Sequence, residues 1–219
     1  MIEVKNLYLN YIKEYSALYN INLFVDDNEN IAILGNNESG KTSLLRCVCG
    51  LENYTGEVYL NKLNLKKINF KNDLDVIYLS SNPVFFNNKS VYYNLAYSLK
   101  IREFPESIIN QKINRALDLL QIDSLKERKI KELNNNEKLI VSIARSLIRD
   151  ANIYLIDDIF NFDKITNEKI ATILKENLNP NSSKIFVLDK EKDYLLNSLN
   201  ISKYYFLSNG SIENNKAMW

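Results

Sequence analysis

A chain of 219 residues that is 46% hydrophobic can bury a substantial core, as one α/β domain or a domain with a subdomain. Its 28 basic and 27 acidic side chains leave a net charge of +1, which excludes the strongly basic footprint of a nucleic-acid binder. No apolar stretch approaches bilayer length and no signal peptide opens the chain, so a cytoplasmic protein is expected.

In chain order, residues 2–9 alternate apolar and polar side chains, the pattern of a half-buried strand, and residues 21–25 repeat it before a polar turn over 26–30. The run Ile31-Ala32-Ile33-Leu34 predicts a buried strand. Ser43-Leu44-Leu45-Arg46 predicts a helix that reaches Gly50 as its C-cap. Cys47 and Cys49 lie two apart on that helix and point in different directions. With no histidine in the chain they form no metal site, and idle thiols in a reducing compartment are expected. Residues 56–60 read as a short strand and residues 76–79 as a buried one.

The pattern then turns helical. Ile108, Ile109, Lys112, Ile113, Ala116, Leu117 and Leu120 fall on helical spacing, with Pro105 as a first-turn residue, so a helical insertion is expected over 90–133. The charge run 126–129 reads as a solvated helix face. Leu139, Ile140, Ile143, Ala144, Leu147 and Ile148 predict an amphipathic helix ending near Asp150. Buried strands follow over 153–156 and 185–188, then a strand over 204–207 and a turn at Asn209-Gly210. Strands alternating with helices predict a mainly parallel sheet covered on both faces. With no internal repeat or low-complexity linker, one compact unit is expected over 1–219.

Between the strand at 31–34 and the helix after it stand Gly35, Asn36, Asn37, Glu38, Ser39, Gly40, Lys41 and Thr42, which spell GxxxxGKT and lead into Ser43. A glycine-rich strand-to-helix turn aims backbone N–H groups and the helix dipole at a phosphate chain. Lys41 is placed to reach the outer phosphates and the Thr42 hydroxyl to bind the accompanying Mg²⁺. The chain has only five glycines, so two at the required spacing argue against a chance match. The strand at 153–156 ends in Asp157 and Asp158, which puts a carboxylate at the edge of the sheet beside that ion, with Asp157 as the metal candidate.

These residues, with others along 2–214, resemble the ATP-binding subunits of ABC transporters. Leu133-Asn134-Asn135-Asn136-Glu137 and the following helix stand where that family carries its LSGGQ/E signature, and Tyr11 where it stacks an aromatic on adenine. Gly50-Leu51-Glu52, Gly56-Glu57-Val58 and the closing Asn209-Gly210-Ser211 are also similar, and residues 90–100 look like importer ATPases. The resemblance implies a phosphate-loop NTPase with a mainly parallel sheet, an antiparallel N-terminal β portion and a helical insertion. It implies ATP and Mg²⁺ as cofactors, a second nucleotide-binding subunit (homo- or heterodimer), and membrane permease subunits met by residues 81–94. It also implies a location at the inner face of the cell membrane through those subunits, and dimer contacts from Asn134, Asn135, Asn136 and Asp163.

The hydrolytic equipment departs from that family. Its water-polarising Glu is Asp158 here, shorter in reach by about 1.5 Å, so Asp158 is at best a weak general base. Its switch His matches Asp189, which cannot donate a hydrogen bond to a terminal phosphate and repels it. Its loop Gln matches Ser81, and its signature Ser and two Gly match Asn134, Asn135 and Asn136. Asparagine is a good N-cap, so the helix can still start there, but the side chains add bulk. The expectation is a subunit that binds Mg-ATP and hydrolyses it slowly or not at all. The alternative is a non-hydrolysing regulatory or structural partner that closes on ATP beside a more competent ATPase. A soluble kinase or GTPase lacks support, because no guanine-reading motif follows the last strands.

Overall fold

The computed structural model describes residues 1–12, 15–67, 75–201 and 203–217. These sort into two compact units, Met1–Tyr78 with Ala151–Trp219, and Leu79–Asp150. The first part of the chain gives β1 (Ile2–Ile12), β2 (Tyr15–Val25), β3 (Asn30–Leu34), α1 (Lys41–Val48), β4 (Thr55–Leu60), β5 (Leu63–Asn64) and β6 (Val76–Ser80). Then come α2 (Val91–Lys100), α3 (Glu106–Leu119), α4 (Asn135–Leu147), β7 (Ile153–Asp157), α5 (Lys164–Asn177), β8 (Ser183–Leu188), α6 (Leu195–Ser198), β9 (Lys203–Ser208) and β10 (Ser211–Ala217).

In the first unit a four-stranded antiparallel sheet runs β2-β1-β4-β5. Its core face takes Ile2 and Val4, then Leu7 and Leu9, so the two-residue period slips by one at Asn6. Asn6 takes φ +46°, and the register of β1 shifts there against both neighbours, as a β-bulge requires. The bulge dictates Gly56 on β4: a Cβ there would stand 2.2 Å from the Asn6 carbonyl oxygen.

The larger sheet runs β10-β9-β3-β8-β7-β6, with β9, β3, β8 and β7 parallel and β10 antiparallel at one edge. β7 and β8 are buried along their whole length and β3 from its second residue, which is why they read as unbroken apolar runs. β6 corrects one expectation. It is the other edge of this sheet, and only Ile77 and Leu79 are buried along it. The parallel strands β3, β7 and β8 end at Leu34, Asp157 and Leu188, so the residues that follow them emerge along one edge. Among the described residues, no helix is long and apolar enough to cross a membrane.

The second unit is helical, and the 90–133 segment lies inside it. Val91, Leu95 and Leu99 of α2, Ile109, Ile113 and Leu117 of α3, and Val141 and Ala144 of α4 share one apolar core. Ser90 caps α2 by accepting from the Tyr93 N–H at 3.1 Å. Buried Asn94 is fully engaged: it accepts from Phe86 N–H at 2.8 Å and donates to the carbonyls of Ser90 and Phe86. Pro105 stands at the N-cap of α3, one position earlier than expected, since its missing N–H costs nothing there either. The charge run 126–129 is a turn and not a helix face. Arg128 leaves it to donate to the Glu132 carbonyl at 2.7 Å and to Glu137 at 3.1 Å.

Candidate nucleotide site

β3 delivers the chain to Gly35, and α1 starts at Lys41 after Gly40 has turned through φ +101°. That angle, and an Ala17 carbonyl 2.8 Å from any Cβ placed there, leave room only for glycine. Lys41 is 7% exposed, and its ammonium folds back on its own loop, donating to the carbonyls of Gly35 (2.8 Å) and Asn36 (2.6 Å). A third contact runs to Asp189 Oδ1 at 3.3 Å. Ser39 Oγ is buried and has no hydrogen-bond partner among the described residues. Asn36, Asn37 and Glu38 are exposed, Glu38 at φ +63°.

Below the loop, the Thr42 hydroxyl donates to Asp157 Oδ1 at 3.0 Å. Asp157 closes β7, is 2% exposed, and accepts on its other oxygen from the Tyr78 hydroxyl at 2.6 Å. Burial raises its pKa, and those two donors oppose the rise. Tyr11, 51% exposed, shares a 3.1 Å hydrogen bond with Ser43 Oγ. A cavity of about 290 Å³ is lined by Tyr11, Ala17, Asn37, Glu38, Ser39, Gly40, Lys41, Thr42, Ser43, Asp158 and Val187. Tyr11, residues 37–43 and Asp158 thus line one cavity, while Asp157 lies buried beside Thr42.

Asp158 takes φ +48°, and its Oδ1 accepts from the Lys192 ammonium at 3.0 Å. Lys192 also donates to Asn161 Oδ1 at 2.9 Å and stands 3.7 Å from Asp189 Oδ2. Tyr78 and Lys192 are the site residues that sequence reasoning missed. Nothing in the sequence separates Lys192 from Lys190. The one-turn 3-10 helix over Lys190–Lys192 does so, by bringing Lys192 back toward Asp189.

The remaining candidates have visible local work. Asp163 caps α5, accepting from Thr166 N–H at 3.1 Å and Thr166 Oγ1 at 2.6 Å, and these bonds lower its pKa. In the second unit Asn134 caps α4 in a reciprocal box. It accepts from Glu137 N–H at 2.9 Å and its own N–H donates to Glu137 Oε2 at 2.8 Å. Asn135 and Asn136 form the exposed first turn. Burial pushes the Cys47 thiol up to about 12 and Cys49 to about 11, so both are inert near neutral pH.

The donor set fits a magnesium-bound phosphate chain. Thr42 and Asp157 would offer hard oxygen ligands, Lys41 a cation, and Ser39 a buried hydroxyl with no partner among the described residues. The ABC transporter family model matches residues 18–161, which includes the loop and both aspartates. The chain belongs to the ABC transporter family. ATP with Mg²⁺ is the ligand of that family.

Among relatives of this family member is the sn-glycerol-3-phosphate import ATP-binding protein UgpC of Psychromonas ingrahamii. It is 30% identical over 72% of this chain and 42% of its own length. The oligosaccharides import ATP-binding protein MsmX of Bacillus subtilis is 27% identical over 89% of this chain and 54% of its own. The chain therefore spans about half the length of the curated relatives it matches. An ATP-binding cassette solved as a dimer with ADP and phosphate superposes with a TM-score of 0.84, covering 100% of this chain and 99% of that one at 21% identity. An ATP-binding subunit of an ABC transporter gives 0.86 over 100% and 90% at 16% identity. At those identities the likeness shows the fold alone, the mixed α/β phosphate-loop NTPase fold.

Proposed function

We propose that this chain is the ATP-binding subunit of an importer-type ABC transporter, with hydrolysis weakened or lost. The observation that carries it is a division within one cavity. The loop places Lys41 and Thr42 at the cavity, with Ser39 Oγ lacking a partner among the described residues, while the Asp158 carboxylate is tied to Lys192. Tyr11 would stack on adenine, the 35–43 loop would hold the phosphates, and Thr42 and Asp157 would hold Mg²⁺, which supplies charge neutralisation when bound. A carboxylate that already accepts from an ammonium is a poor acceptor for a water proton. Asp189 has no hydrogen to donate to a terminal phosphate. That both relatives are named import ATP-binding proteins supports the importer class.

As a single ABC-type nucleotide-binding domain with a helical subdomain over 90–133, the chain would pair with a second such subunit through Asn134, Asn135, Asn136 and Asp163. It would meet membrane permease subunits from the cytoplasmic side. An exposed aromatic cluster supports the latter contact: the Phe86 ring lies 5.7 Å from Tyr93 and 4.9 Å from Tyr97, beside Val84 at 84% exposure. The exposed Asn134, Asn135 and Asn136 favour a second reading, a regulatory partner that closes on ATP beside a stronger ATPase. Affinity capture of the tagged chain from membranes tests the assignment. It should bring down proteins with several apolar spans of about 20 residues, and Phe86→Asp with Tyr97→Asp should lose them. Recovery of only soluble ATPases would favour the regulatory partner and sink the transport assignment.

A further inference from the structure

We infer that Asp189 makes this site favour a nucleoside diphosphate over a triphosphate, because its carboxylate already sits on the phosphate-binding lysine. The inference rests on the 35–43 loop being a nucleotide site and says which phosphate chain that site takes. An ammonium has three N–H donors. Those of Lys41 are all engaged: by the carbonyls of Gly35 at 2.8 Å and Asn36 at 2.6 Å, and by Asp189 Oδ1 at 3.3 Å. The first two are contacts within the loop itself. The third is with an anion brought from β8, and Lys41 is the residue type that reaches the outer phosphates of such a loop.

Asp189 is held there from several directions. Gly35 N–H donates to the Leu188 carbonyl at 3.3 Å, which ties the end of β8 to the start of the loop. Lys192 N–H donates to the Asp189 carbonyl at 2.9 Å, closing the one-turn helix. That turn returns the Lys192 ammonium to within 3.7 Å of Asp189 Oδ2. One oxygen of Asp189 therefore faces Lys41 and the other faces Lys192. Lys192 is itself anchored by Asp158 at 3.0 Å and Asn161 at 2.9 Å. Lys192 is a positioning residue, and together with Lys41 it sets two positive charges against the two aspartates.

A triphosphate carries one phosphoryl group and about one negative charge more than a diphosphate, and places them at the outer end of the chain, toward Lys41. To reach Lys41 that group must displace a carboxylate or lie against it, and like charges at such separations repel. A diphosphate ends one phosphoryl group sooner, so less negative charge would be set against Asp189.

Calorimetry on the full chain with ADP and with a non-hydrolysable ATP analogue, both with Mg²⁺, tests this without reference to turnover. The native chain should bind ADP at least as tightly as the analogue. Asp189→Asn, which keeps the shape and removes the charge, should shift the affinity ratio toward the analogue by about tenfold or more, that is about 1.4 kcal/mol. Asp189→Ser should do the same and serves if the first variant does not fold. An analogue that binds the native chain more tightly than ADP, or an affinity ratio unchanged in the variants, overturns the inference while leaving the nucleotide site standing. A native chain that binds neither nucleotide removes the nucleotide site and the inference together.

Discussion

Lys192 holds the carboxylate of Asp158 at 3.0 Å, at the cavity lined by Ser39, Lys41 and Thr42 of the loop. The pair forms because Asp158 leaves β7 with φ +48°, while the turn after β8 brings Lys192 back from three residues beyond Asp189. A base pinned in this way, and one C–C bond short, would slow hydrolysis and leave the phosphate-holding loop untouched, as proposed.

Restoring both missing groups should therefore restore turnover. Asp158→Glu lengthens the base, and Asp189→His returns a hydrogen-bond donor beside Lys41. The double variant should release phosphate at least about tenfold faster than the native chain, against the roughly 10²-fold that a 1 Å displacement costs. Each single variant should gain less. A double variant that binds nucleotide normally but turns over no faster would show that the defect lies elsewhere.

Lys41→Ala removes the one buried ammonium of the loop. Charge-assisted hydrogen bonds contribute about 1.5–3 kcal/mol each, so affinity for a magnesium-bound triphosphate analogue should fall roughly 10- to 100-fold. The fold should survive, because Gly35 and Asn36 lose only a side-chain donor to their carbonyls. Calorimetry reads the affinity and circular dichroism the fold.

What the sequence conveys about this site follows how local each signal is. The loop is legible because its eight residues are contiguous and each needs its own chemistry. β3, β7 and β8 are legible because strands buried on both faces cannot alternate. β10 is not, since Ser-Ile-Glu-Asn-Asn-Lys-Ala offers one large apolar residue and forms by pairing with β9 at the sheet edge. β6 is legible as a strand but not as an edge, because its neighbours are set by topology. Tyr78 reaches Asp157 across 79 positions and Lys192 reaches Asp158 across 34, and no local pattern encodes either contact.

Asn134→Ala should destabilise α4. It deletes one half of the capping box with Glu137, a loss that typically costs about 1 kcal/mol. For a chain of this size the melting temperature should fall by roughly 2–4 °C. Asn134→Ser should be close to neutral, since serine caps as well. Thermal melts of the two variants beside the native chain check this, and an alanine variant as stable as the native chain would contradict it.

Lys184 gives a pH signature. It is 5% exposed on β8, donates to the carbonyls of Asn179 and Ser182, and burial lowers its pKa from 10.5 to about 8. Between those values the unfolded chain binds more protons at this group than the folded chain, so its contribution to stability rises with pH across that window. Below about 8 both states are protonated and the penalty of the buried charge is fully present. Lys184→Met should remove that rise, so the stability difference between variant and native chain should change steadily from pH 8 to pH 10. A constant difference over that range would refute the assignment.

The central claim is that the chain grips a magnesium-bound nucleotide and scarcely cleaves it. One preparation, divided between calorimetric titration with a non-hydrolysable ATP analogue and a phosphate-release assay with ATP, tests it directly. Saturable, Mg²⁺-dependent binding with turnover slower than roughly 0.01 s⁻¹, about a hundredfold below the low end of ordinary enzymes, is the predicted result. Turnover near 1 s⁻¹ or above, or no binding at concentrations up to about 1 mM, would contradict it.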